Sequence, residues 1–170
     1  ANLVGLELQT DEEVFYDEIY QLKNLKYLTT HRIPPRFQTS CDFPVSMPSV
    51  THFRYHGGNS NESFDKLNVE SLPNMQSFSV HFGFDHRMCG FYGEEEIITS
   101  NPLRNLQKLK EFHIEAYNQK VLDHLVSPEL EVLAVCNADA LMESSTWERM
   151  GNNLPKLHTL ILEWSDDFFV

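Results

Sequence analysis

Leu72-Pro73-Asn74-Met75-Gln76-Ser77-Phe78-Ser79-Val80 is the stretch whose reading decides the fold. Its apolar residues Leu72, Met75, Phe78 and Val80 stand at offsets 0, 3, 6 and 8. The same phrase returns as Leu154, Leu157, Leu160 and Leu162 in Leu-Pro-Lys-Leu-His-Thr-Leu-Ile-Leu. Alternating apolar residues place their side chains on one face of a strand. A strand phrase written twice implies a repeat, and the period of that repeat sets the architecture.

With L-x-x-L-x-L as the template and other apolar residues tolerated, the chain holds seven copies. They are Leu3/Leu6/Leu8, Leu25/Leu28 followed by Thr30, Val50/Phe53/Tyr55, Met75/Phe78/Val80, Leu109/Phe112/Ile114, Leu130/Leu133/Val135 and Leu157/Leu160/Leu162. Their first positions are 22, 25, 25, 34, 21 and 27 residues apart. Three residues before six of them stands what reads as a helix-ending position: Leu22, Met47, Leu72, Leu106, Ser127 and Leu154. Pro48, Pro73, Pro128 and Pro155 follow that position, and proline favours an extended neighbour over a continuing helix.

These repeats resemble the leucine-rich-repeat superfamily, whose units run about 20–29 residues with one short strand each. The likeness covers essentially the whole chain. It implies a single α/β domain over residues 1–170, a right-handed solenoid of about seven repeats. A parallel sheet would line the concave face, with helices and irregular turns on the convex face. The family's asparagine at the ninth repeat position is replaced here by Asp11, Ile33, Gly58, Gly83, Tyr117, Ala138 and Ser165. That departure points to the irregular intracellular type, similar to the repeats of F-box proteins or of immune receptors.

The segments between strands read mostly as helices. Thr10 and Glu13 form a capping box before Val14, Phe15, Ile19 and Leu22. Residues 61–72, 119–126 and 141–150 carry apolar side chains at helical spacing. The second return, with Ile33-Pro34-Pro35 and Pro44, reads as irregular. The fourth repeat holds a long insertion, about 83–100, whose glycines and aromatics suggest a protruding loop.

The chain has 170 residues and a formal net charge of −12, from 25 Asp and Glu against 13 Lys and Arg. That balance opposes binding to a phosphate backbone and allows a basic protein partner. No apolar run approaches the ~20 residues that cross a bilayer. Cys41, Cys89 and Cys136 make an odd count with no C-x-x-C, which favours reduced thiols and a cytoplasmic or nuclear setting. No phosphate loop, nucleophile elbow or zinc-protease helix occurs, so neither an enzyme nor a cofactor is expected. Ala1 stands directly before a repeat, and Phe168-Phe169-Val170 is apolar; both suggest a fragment of a longer protein, or end-to-end packing with missing domains or another copy.

Function is sought on the open face of the sheet, at the third, fifth and seventh template positions. The seventh reads Gln9, His31, His56, His81, Glu115, Cys136 and Glu163. Three histidines therefore fall on adjacent strands about 4.8 Å apart. Tyr27, His52, Arg54, Glu111 and His113 share this face, and Phe82 and Trp164 stand at the eighth position along its rim. The histidine column reads as a polar contact ladder, as a pH-tuned binding surface, or as a metal trap. The resemblance implies a non-catalytic protein-recognition module that grips a protein or peptide on the concave face. Substrate recognition by an F-box-type ubiquitin-ligase adaptor is one form of that role. A ligand-sensing or structural repeat region of an immune receptor or larger assembly is the alternative.

Overall fold

The computed structural model of the chain describes residues 2–9, 16–57, 67–82, 106–115, 125–136 and 144–163. Seven strands run through it: β1 (Gly5–Leu8), β2 (Tyr27–Thr30), β3 (His52–Gly57), β4 (Ser77–Phe82), β5 (Glu111–Glu115), β6 (Val132–Cys136) and β7 (Thr159–Glu163). They form one sheet in sequence order. Every neighbouring pair is parallel. The architecture is therefore an α/β sheet laid down strand by strand.

The register follows the repeat template without a slip. Leu6, Leu28, Phe53, Phe78, Phe112, Leu133 and Leu160 form one row across the sheet. Leu8, Thr30, Tyr55, Val80, Ile114, Val135 and Leu162 form the next. In the middle strands both rows are buried, and full burial of a large apolar side chain stabilises by ~1.5–3 kcal/mol. Three phenylalanine rings stack through this core: Phe53 on Phe78 at 5.7 Å between centroids, and Phe78 on Phe112 at 5.6 Å. Phe37, from the second return, meets the edge of Phe53 at 6.4 Å.

Two hydrogen-bond devices recur with each repeat. The carbonyl of the second template residue accepts two successive amides from the following unit. Val4 O accepts from Lys26 and Tyr27, Thr51 O from Gln76 and Ser77, and Gln76 O from Lys110 and Glu111. The same fork joins Lys26 to Thr51 and His52, Lys110 to Glu131 and Val132, and Glu131 to His158 and Thr159, all between 2.8 and 3.1 Å. The second device is a tight turn before each strand. Leu72 O accepts from Met75 N at 3.1 Å, and Leu22, Met47, Leu106, Ser127 and Leu154 repeat the bond to the residue three further on. Pro73 and its counterparts thus sit at the second position of a turn, where a fixed φ near −65° is already suitable. This corrects the reading of that position as a general helix end. Among the described residues, Leu154 alone follows directly on a helix of the length expected; those before Leu106 lie outside them.

Side chains at these turns also link the repeats. Asn74 Nδ2 donates to Pro48 O at 2.8 Å, and Lys108 Nζ donates to Asn74 Oδ1 at 2.6 Å. Farther along, Lys156 Nζ pairs with Glu129 at 2.6 Å.

The returns match expectation in part. α1 (Tyr16–Ile19) lies in the first return, and α2 (Ser144–Asn153) in the last. The capping-box residues Thr10 and Glu13 lie outside the described residues, as does the insertion at 83–100. The helix expected over 61–72 does not appear in its described part. Leu67 instead bridges antiparallel to Gln38, and Val69–Ser71 make one 3-10 turn. The Asn68 side chain accepts from Glu70 N at 3.1 Å, a local bond that competes with an α-helix. Leu125 and Val126, the described end of the helix expected over 119–126, are not helical either. The second return is irregular, with a 3-10 turn at Pro35–Phe37.

Candidate functional site

One face of the sheet packs on the returns, and the other is open. β3 shows the division: Phe53 and Tyr55 are buried, whereas His52 and His56 are half-buried and Arg54 is exposed. Parallel sheets are usually covered on both faces. Here the uncovered face is built from the polar letters between the apolar ones.

The histidines form a stack on this face. His56 and His81 are register partners, with ring centroids 5.0 Å apart and planes 17° apart. His31 follows β2 directly and lies 5.4 Å from His56 at 27°. At the third template position Tyr27 is 50% exposed, and its ring lies 4.6 Å from that of His52. His52 Nδ1 is 2.9 Å from Thr51 Oγ1, which steadies the imidazole.

The remaining candidates divide by place. Glu111 and His113 stand on β5, in register with Ser77 and Ser79. Glu115 ends β5 and Phe82 ends β4, the latter opposite Gly57; their side chains are outside the described residues. Trp164 lies outside the described residues altogether. The structure therefore brings together His31, His56 and His81 in one column and Tyr27 and His52 beside it, with Arg54 between the rows.

Burial and neighbouring cations both disfavour the protonated rings. His56 is held below its ordinary pKa of 6.5, first by burial, then by His81, His31 and Arg54. His81 is lowered too, first by burial, then by Arg54 and His113. Glu7 and Glu163 act in the opposite sense on His56 and His81 respectively. No group of three His, Cys, Asp or Glu among the described residues is placed to hold a metal ion.

No family model, curated protein or solved structure matches this chain. Its functional reading therefore rests on the face itself. Two open depressions lie elsewhere, along the turns: one of about 390 Å³ lined by Val4, Lys26 and Ser49, and one of about 350 Å³ lined by Leu72, Met75 and Lys108. No helix among the described residues is long and apolar enough to cross a membrane.

Three features escaped the sequence reading. Phe43, in the irregular second return, is 79% exposed, and nothing in an aperiodic segment distinguishes it from a core residue. Ser79 and Ala134 face the open side yet are buried, because both are small and lie between longer neighbours in register. Cys136 Sγ lies 3.0 Å from Glu163 Oε2, a pairing across strands that only the register exposes.

Proposed function

We propose that this chain is a non-catalytic protein-recognition module, a leucine-rich-repeat solenoid of seven units. It binds a protein or peptide partner across the open, concave face of its sheet. The observation that carries this reading is the composition of that face: stacked histidines, an exposed tyrosine and an arginine on consecutive strands, backed by a rigid apolar core. Tyrosine and arginine are the residues that most often carry binding energy at interfaces. Seven strands give a surface roughly 30 Å wide, suited to a macromolecule rather than a small ligand. Substrate recognition within an F-box-type ubiquitin-ligase adaptor is the form of the role that the L-P-x-L phrases favour. Cys41 stands outside any disulfide among the described residues, which suits an intracellular setting.

A structural role in a larger assembly is the second reading. It is favoured by Leu3, Val4, Leu160 and Ile161, all exposed on the outermost strands or beside them. A pull-down with His31, Arg54, His56 and His81 changed to Ala, beside the unchanged protein, separates the two. Loss of one specific partner is expected. Identical partner sets from both proteins would remove the open face as the recognition surface.

A further inference from the structure

The middle of the open face has a charge opposite to that of the chain. β2, β3 and β4, with His31 beyond the end of β2, supply Tyr27, Thr29, His31, His52, Arg54, His56, Ser77, Ser79 and His81 to this face. None of these is a carboxylate, in a chain with 25 Asp and Glu against 13 Lys and Arg. The carboxylate-bearing positions of the face stand on the flanking strands, at Glu7 on β1, Glu111 and Glu115 on β5 and Glu163 on β7.

We propose that this central patch receives an acidic segment of the partner protein, whose carboxylates settle against Arg54 and the stacked imidazoles of His31, His56 and His81, and that the grip tightens as the pH falls. The proposal rests on the open face being the recognition surface and names the chemistry that it recognises. The net charge suggested a basic partner; the local arrangement selects an acidic one at the centre, where complementarity governs specificity.

The physical basis is a counter-charge that the face positions of β2, β3 and β4 do not themselves supply. Rings 5.0 and 5.4 Å apart repel one another once protonated. His31, just past the end of β2, Arg54 on β3 and His113 on β5 add to that repulsion, whereas Glu7 and Glu163 on the flanking strands relieve it. An incoming carboxylate supplies the lacking charge and raises the pKa of the rings that it meets. Binding therefore takes up protons. Well above their lowered pKa values His56 and His81 are neutral, and an incoming carboxylate meets the Arg54 cation. As the pH drops, the bound rings protonate first and affinity rises, levelling off once the free rings are also protonated. A rise of about one pKa unit in one imidazole corresponds to about tenfold in affinity.

The test measures anisotropy of rhodamine-labelled deca-aspartate, with deca-lysine as control, at about pH 5.5 and about pH 7.5. Aspartate carboxyls stay ionised at both values. Deca-aspartate is expected to bind about tenfold more tightly at the lower pH, and deca-lysine is not. His56→Gln with His81→Gln should abolish the pH dependence, and Arg54→Gln should weaken binding at both values. Thermal melts establish that each variant is folded, and His81→Gln alone replaces the pair if the pair unfolds. No binding at the lower pH, equal affinity at both, or an unchanged pH response in the histidine variant would overturn the proposal. If open-face substitutions still remove a partner in pull-downs while deca-aspartate ignores the histidines, recognition stands and its acidic chemistry falls.

Discussion

Thr30 carries a hydroxyl into the core at a position that the other six repeats fill with Leu, Tyr, Val or Ile. It is fully buried, and its Oγ1 has no hydrogen-bond partner among the described residues. A buried unsatisfied hydroxyl costs about 1–3 kcal/mol. Thr30→Val keeps the shape and removes the orphaned group, so it should stabilise the fold by about 1 kcal/mol or more, read as a higher urea midpoint. An unchanged or lower midpoint would mean that the hydroxyl is satisfied. Ser127 shows the contrast. It is equally buried, but its hydroxyl lies 3.0 Å from Leu106 O and 3.3 Å from Leu109 O, and so joins two repeats. In the sequence both look like polar lapses in an apolar column. Which one is satisfied depends on carbonyls about 20 residues away, and no local pattern encodes that.

At the scale of the element, the strands were legible and the returns largely were not. A strand's apolar period is two, and it was reinforced here by seven copies in a shared register. The histidine column followed from the same count, because a fixed register places every seventh position side by side. The returns lack such reinforcement. Residues 67–72 carry helical spacing, but Asn68 and the bridge from Leu67 to Gln38 divert them into a 3-10 turn. The phenylalanine stack gives the strand row its own test. Phe78 lies between two rings, and each aromatic pair adds about 0.5–1.5 kcal/mol beyond area burial. Phe78→Leu should therefore cost about 1–3 kcal/mol, and Phe78→Ala about 3–5 kcal/mol. A Phe78→Leu variant as stable as the parent in urea melts would assign no energy to stacking.

At the scale of the whole molecule, the sheet is well buried in the middle and exposed at both sides. Leu160 occupies a core row yet is 37% exposed, and Leu3 is 40% exposed. Among the described residues, β1 and β7 have a hydrogen-bonded neighbour on one side only. Unpaired strand edges with apolar side chains invite pairing with another chain. Light scattering of the 170-residue chain should show a mass that rises with concentration, and Val4→Lys with Ile161→Lys should shift it toward the monomer. A concentration-independent monomer would exclude edge pairing. The forked carbonyls carry a different consequence, about length. Units that begin 21 residues apart and units that begin 34 apart are joined by the same pair of bonds in the same register. Strand alignment is thus metered by a local clamp and not by the length of chain between clamps. Residues can be gained or lost between β4 and β5 without moving a side chain on the open face, so the stretch between them is free to diversify while the open face keeps its order.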